Sequence, residues 1–467
     1  MDSPSHRARR IALVTTIVGL AFAVFAPSAL SAVSVRFSLL QGFASPGTPP
    51  QYNKVGILKT GPRNAPNILV LNPGTSASAA YFEPLAKWIV GLTKGSWQVW
   101  AVERRENLLE DQSMLDKAKA GQATTQQVFD YYLGYLSNPA ITDHFQTIPT
   151  SEVTYARDWG MNTEIQDLRR VVTAAQRQAT HVVVGGHSLG GSITTAYATW
   201  DFNGKAGAAG LSGLVYIDGG SSRVPTPPDQ AQQSLDALNA GSPWLAFGGI
   251  AAPYAGLFNS TGSLGALQDP NGPSLGQAFT LLPANLKPPV PATNLGQYGF
   301  ALDVATSPPA LAAAQAHLGQ LDTSTQPAGW TRAGAITPID RFATMFSGMG
   351  LPSLDGTAWY HPQRLTLDSG AVADGNANAT QRLLDVHATH GHDLAKDMKI
   401  LAFGAALGDG RVLTAAKVLA RQSRIPSANL TLINRASTYA HNDPNSAYPK
   451  NDFVKALIPF LNGIGKS

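Results

Sequence analysis

Gly186-His187-Ser188-Leu189-Gly190-Gly191 sets one hydroxyl between glycines at a spacing suited to nucleophilic attack on an acyl carbon. The run follows an apolar, β-branched stretch, His181-Val182-Val183-Val184-Gly185, and precedes helix-compatible sequence over residues 192–200. Strand, G-x-S-x-G and helix in that order put such a serine on a sharp, strained turn with its oxygen lifted clear of the sheet. A side chain at Gly186 or Gly190 would collide there with the neighbouring strand and helix. The new helix aims its first amides at the serine, so the Leu189 N–H is a candidate donor for an oxyanion.

A serine hydroxyl is a weak nucleophile at neutral pH and needs a base, which in turn needs an acid to hold its tautomer. His441 stands in a loop, residues 436–444, between a last strand expected over 429–433 and an amphipathic helix expected over 452–461. That is where the base belongs in the chain order serine, acid, histidine. Two acids qualify. Asp409 lies in Gly408-Asp409-Gly410, just beyond a strand expected over 399–403, and Asp218 ends a strand expected over 214–217, one sheet position earlier. A second oxyanion donor is expected in the loop after the strand at 67–71. Pro73 has no N–H and Gly74 lets the backbone fold back, which leaves Thr75, with Ser76 second.

Two other clusters carry charge. His387, His390 and His392 have a spacing that permits a metal ion, but they read as a polar linker, and no metal or organic cofactor is expected. Glu103-Arg104-Arg105 follows a strand and reads as a structural charge cluster beneath the serine.

The elements that must position these residues alternate as a parallel α/β sheet requires. Strands are expected at 52–58, 67–71, 98–102, 182–186, 214–217, 399–403 and 429–433. Helices are expected at 79–92, 162–175, 192–200, 413–422 and 452–461, with Asn162 or Thr163 capping the second. A polar insert spans 106–155. Beyond residue 220 the alternation stops, and a stretch dense in Pro, Gly, Ala and Ser runs on far longer than an ordinary connection. The expected organisation is therefore a core over 35–220, an inserted cap or lid over 221–396, with short helices such as 234–238 and 309–318, and the rest of the core over 397–467. Trp244, Leu245, Phe247, Tyr254, Leu257 and Phe258 either line an apolar pocket in the cap or form its own core.

With 467 residues, 44% apolar and 14% charged, the chain can bury a sizeable core. Its net charge of +4 is spread thinly, with no basic run beyond the N-terminus, so nucleic-acid binding is not expected. The absence of cysteine excludes a thiolate nucleophile, a thiolate metal ligand and any disulfide. His6, Arg7, Arg9 and Arg10 precede an uncharged, mostly apolar stretch over 11–26, then Pro27 and the small-residue run Ala29-Leu30-Ser31. Residues 1–31 read as a signal peptide or a retained N-terminal anchor. The expected location is outside the cytoplasm: secreted, periplasmic or associated with the cell envelope. Any membrane association would come through that segment.

Together these residues resemble the α/β-hydrolase superfamily, and the Gly-His-Ser-Leu-Gly-Gly run looks like its lipase and esterase version of the nucleophile turn. The resemblance covers about 60–220 and 397–462 and leaves out the cap. It departs from the family at Asn72-Pro73-Gly74, where His-Gly is common. It implies a mostly parallel central sheet flanked by helices, Ser188 as nucleophile, His441 as base, Asp409 or Asp218 as acid, and Leu189 and Thr75 at the oxyanion. The function it implies is an exported enzyme cleaving small or lipid-like carboxylic esters through an acyl-enzyme. A peptidase, amidase or acyltransferase would share every one of these residues. A binding protein built on the same scaffold would share the fold.

Overall fold

The computed structural model describes residues 33–466; the signal peptide or anchor expected over 1–31 lies outside them. One sheet of eight strands organises the chain. Its strands are β1 (Val35–Gln41), β2 (Lys54–Thr60), β3 (Asn67–Asn72), β4 (Trp97–Glu103), β5 (His181–His187), β6 (Gly213–Ile217), β7 (Lys399–Gly404) and β8 (Leu430–Asn434). They lie in the order β1-β2-β4-β3-β5-β6-β7-β8. Only β2 runs against its neighbours; every other pairing is parallel. This is the α/β-hydrolase fold.

The apolar runs of β3, β5, β6 and β7 are long because both faces of the sheet are covered. Alternate residues go to opposite sides. Leu69, Leu71, Val183, Val215 and Phe403 meet one layer, built on helices α1 (Glu83–Leu92) and, near the C-terminus, 452–464. Ile68, Val70, Val184, Leu214 and Ile400 meet the other. That second layer holds α2 (Met161–Gln178), α3 (Leu189–Thr199) and α4 (Arg411–Gln422).

Several boundaries differ from the sequence expectation for identifiable reasons. Strand β1 was not expected. It is an edge strand with Phe37 and Leu39 exposed, so it carries no strong apolar alternation. The first turn of the helix expected at 79–92 is a 3-10 turn, Ala79–Phe82, and Pro84 opens α1 behind it. Neither Asn162 nor Thr163 caps α2. Gly160 occupies the cap position, and the Asp368 carboxylate, from far along the chain, accepts the Met161 N–H at 2.9 Å. The helix expected at 309–318 shrinks to a 3-10 turn, Pro309–Ala314. The backbone just beyond it serves the site instead, as described below.

The cap inserted between β6 and β7 contains the helices Pro228–Ala240, Tyr254–Gln268, Asn294–Leu302 and Ile339–Ser347, with a small hairpin of Gln320–Asp322 and Gly329–Thr331. The polar insert at 106–155 packs into this cap. Leu115, Val128, Tyr132 and Phe145 share one core with Trp244, Leu257, Phe279 and Trp359. Among the described residues no helix is long and apolar enough to cross a membrane.

Candidate active site

Ser188 links β5 to α3 with φ 56° and ψ −125°, a conformation that side chains other than glycine's rarely adopt. Its own N–H is tied to the Ile217 carbonyl of β6 at 3.0 Å. The strain persists because the turn is wedged between strands. A Cβ on Gly190 would stand 2.0 Å from the Asn72 carbonyl oxygen at the end of β3. Gly190→Ala is therefore expected to lower stability by about 3 kcal/mol or more, since backbone rather than a flexible side chain must yield. Thermal unfolding measures this directly, and an unchanged melting temperature would contradict the packing described.

His441 lies in the loop after β8 and is buried, as is Asp218. The imidazole Nδ1–H donates to Asp218 Oδ2 at 2.6 Å. The other carboxylate oxygen of Asp218 accepts two amides from the turn after β7, Ala405 N–H at 2.6 Å and Gly408 N–H at 3.0 Å. With its Nδ1 proton facing a carboxylate, His441 leaves a lone pair on Nε2, and that buried nitrogen has no hydrogen-bond partner among the described residues. Ser188 and His441 line the same cavity, together with Gly74, Thr75, Tyr81 and His187.

Of the two acids that qualified, Asp409 is not at the imidazole and Asp218 is, so the expectation of Asp409 as an alternative is corrected. The cause is local. The turn after β7 folds its amides inward onto the Asp218 carboxylate, and the same turn leaves Asp409 exposed, at φ 49°.

The loop after β3 comes so close to the serine that a Cβ on Gly74 would lie 2.9 Å from Ser188 Cβ; only glycine fits. Ser76, the second oxyanion candidate, is already engaged: its N–H points to His361 Nδ1 at 3.4 Å. The amides of Thr75 and Leu189 donate to no protein acceptor among the described residues. Both residues line the space around Ser188, Leu189 from its cleft side.

Four residues hold this arrangement; of them only Arg104, in the charge cluster expected beneath the serine, is given a role by the sequence. His187 donates from Nε2–H to the His441 carbonyl at 2.8 Å, and the two rings lie 4.2 Å apart centre to centre. Burial, then the neighbouring His441, pushes its pKa far below the ordinary histidine value, so it stays neutral. Asn442 ties the base loop to the cap: its side-chain amide donates to the carbonyls of Ala313 and Gln315, at the end of the 3-10 turn. Arg104 is fully buried and donates to the carbonyls of Pro73, Gly74 and Ala77 at 2.9–3.1 Å, so it sets the shape of the Thr75 loop. His361 accepts from Ser76 and donates from Nε2–H to Thr366 at 3.0 Å. The position of His187 inside the motif, and of Arg104 straight after a mostly apolar strand, were the available signals.

The histidine cluster at 387–392 pairs with surface carboxylates. His387 meets Asp385 at 2.9 Å, and His390 meets Asp393 at 2.7 Å. Among the described residues no three or more histidine, aspartate or glutamate side chains are grouped so as to hold a metal ion. The aromatic set of the cap divides: Phe247 and Phe258 line a large apolar cavity, while Trp244 and Leu257 are core.

That cavity is walled by Phe129, Phe258, Phe279, Leu282 and Leu311 among others. Phe247, Ala255, Asn259 and Ala314 line both it and the cavity holding Ser188 and His441, so the two adjoin.

No family model matches the chain, and no curated protein matches it. Solved structures similar to it include a candidate lipase from Sulfolobus solfataricus, 14% identical over 92% of this chain and 93% of that one, with a TM-score of 0.44. A carboxyl esterase from Bacillus coagulans is 14% identical over 92% and 99%, with a TM-score of 0.40. Epoxide hydrolase A from Mycobacterium thermoresistibile is 14% identical over 92% and 99%, with a TM-score of 0.41. At such values the likeness adds nothing to the chemistry. The strand order, the single reversed strand and the strained serine between β5 and α3 define a protein of the α/β-hydrolase fold.

Proposed function

We propose that the chain is a serine hydrolase that cleaves carboxylic esters with an apolar acyl chain. The observation that carries this reading is the bare, buried Nε2 of His441, held in the acceptor tautomer by Asp218 and facing the cavity that Ser188 lines. Ser188 Oγ attacks the acyl carbon while His441 Nε2 takes its proton. The carbonyl oxygen becomes an oxyanion against the Thr75 and Leu189 amides. The C–O bond to the alcohol breaks, and His441 returns the proton to that oxygen. Water, deprotonated by His441, then attacks the acyl-enzyme and frees Ser188.

The adjoining cavity supplies the preference for apolar acyl groups. Each methylene buried there is worth about 0.8 kcal/mol, or a factor of about four in kcat/KM. Across p-nitrophenyl esters of increasing chain length, kcat/KM should climb by about that factor per methylene and level off once the cavity is full. A flat series would remove the cavity from the reading. Turnover of p-nitroanilides as fast as the matching esters would favour an amidase instead.

A further inference from the structure

Ser188 faces a second space. Thr75 and Ser188 line both the catalytic cavity and an open cleft on its other side, bounded by the turns after β6 and β7 and by Thr366 and Ser369 of the cap. The serine thus stands between the catalytic cavity, which adjoins the apolar chamber, and a somewhat more open cleft rich in hydroxyl and charged side chains. We infer that the cleft receives the alcohol portion of the ester, and that this alcohol is polyhydroxylated, a saccharide or polyol. The inference rests on the ester-hydrolase reading of Ser188.

The order of events decides which end goes where. The acyl group stays on Ser188 while the alcohol departs and water arrives. An alkyl chain is retained by the apolar walls of the chamber, whereas the more open, hydroxyl-lined cleft lets alcohol and water exchange.

The chemistry of the walls decides what kind of alcohol fits. Besides Thr75, Ser188 and Thr366, five hydroxyls line the cleft, and each of the five has its proton committed to the protein. Ser192 donates to Gly220, Ser221 to Asp374, Ser222 to Val224, Ser369 to Thr366 and Thr414 to Gly410. Towards a ligand they offer lone pairs, and a ligand must bring hydroxyl protons to meet them. Two guanidiniums supply the opposite need. Arg411 donates to the Leu407 carbonyl and forms no ion pair among the described residues, and Arg223 comes no nearer than 3.8 Å to Asp374. They call for ligand oxygens. Asp409 adds one carboxylate to the same lining. A methyl group would answer none of these, and a long alkyl alcohol would strip them of water without replacing it. A polyol carries donors and acceptors on every carbon and answers both.

The test holds the acyl chain fixed and varies the alcohol: glucose 6-octanoate, methyl octanoate and hexyl octanoate, assayed with the full chain and with the double variant Arg223→Ala, Arg411→Ala. The glucose ester should exceed the methyl and hexyl esters at least tenfold in kcat/KM, and the double variant should cut that ratio to threefold or less. Equal rates on the three esters would overturn the inference, and so would a sugar preference that survives the double substitution. The two possible failures are separable. Hydrolysis of methyl octanoate without preference for the sugar ester refutes the cleft's role alone. Hydrolysis of none of the three, with no covalent labelling of Ser188 by a fluorophosphonate, refutes the ester-hydrolase reading and the cleft's role with it.

Discussion

Ser188→Ala is expected to lower ester turnover by about 10⁴- to 10⁶-fold and to abolish covalent labelling by a fluorophosphonate. The residual rate comes from what the substitution leaves in place: the Thr75 and Leu189 amides and the apolar cavity. A second substitution separates chemistry from structure. Ser188 Oγ makes no capping bond to α3, and its φ of 56° costs energy for any residue with a Cβ. Ser188→Gly should therefore be as inactive as Ser188→Ala and yet unfold at a higher temperature, by about 1 kcal/mol of relieved strain. Loss of activity with gain of stability is the signature of strain maintained for function. Full ester turnover in either variant would end the nucleophile assignment. Absence of any turnover or labelling in the parent chain would instead indicate a binding protein on this scaffold.

The parts legible in the sequence share one property: each is fixed by local pattern. The apolar runs of β3, β5, β6 and β7 are read directly because both faces of the sheet are buried, and the glycines around Ser188 announce a turn that no other residue fits. Strand β1 escaped because an edge strand with Phe37 and Leu39 in solvent has no such pattern. The cap of α2 escaped because its acceptor, the Asp368 carboxylate, is a tertiary partner roughly two hundred residues away. The 3-10 turn Pro309–Ala314 was mistaken for part of a longer helix because propensity favoured it, while Asn442 claims the carbonyls of Ala313 and Gln315 for the base loop. Choosing between two acids posed the same difficulty. Both stood at strand ends in the right chain order, and only the fold of the turn after β7 tells which carboxylate faces His441.

Asp218→Asn should lower kcat by about 10⁴-fold on esters whose turnover Asp409→Asn reduces by less than tenfold. The asymmetry follows from hydrogen-bond direction. Asp218 Oδ1 accepts from the Ala405 and Gly408 amides, and Oδ2 accepts from His441. An asparagine side chain has one oxygen. Facing the two backbone amides, that oxygen keeps both bonds, and the NH₂ group must then point at His441 Nδ1. Two donors cannot share one bond, so the imidazole shifts its proton to Nε2 and presents an N–H to Ser188 where a lone pair is needed. The reverse placement would set the NH₂ group against two buried amides and leave them unsatisfied, at about 1–3 kcal/mol each. The wrong tautomer is thus the cheaper state, and the geometry of the site survives while its base is lost. Asp409 meets none of these atoms. Nuclear magnetic resonance of the His441 ring nitrogens, with the kinetics of both variants, checks the argument at its root: a proton still on Nδ1 in Asp218→Asn, or equal losses from the two substitutions, would show that Asp218 does not set the tautomer.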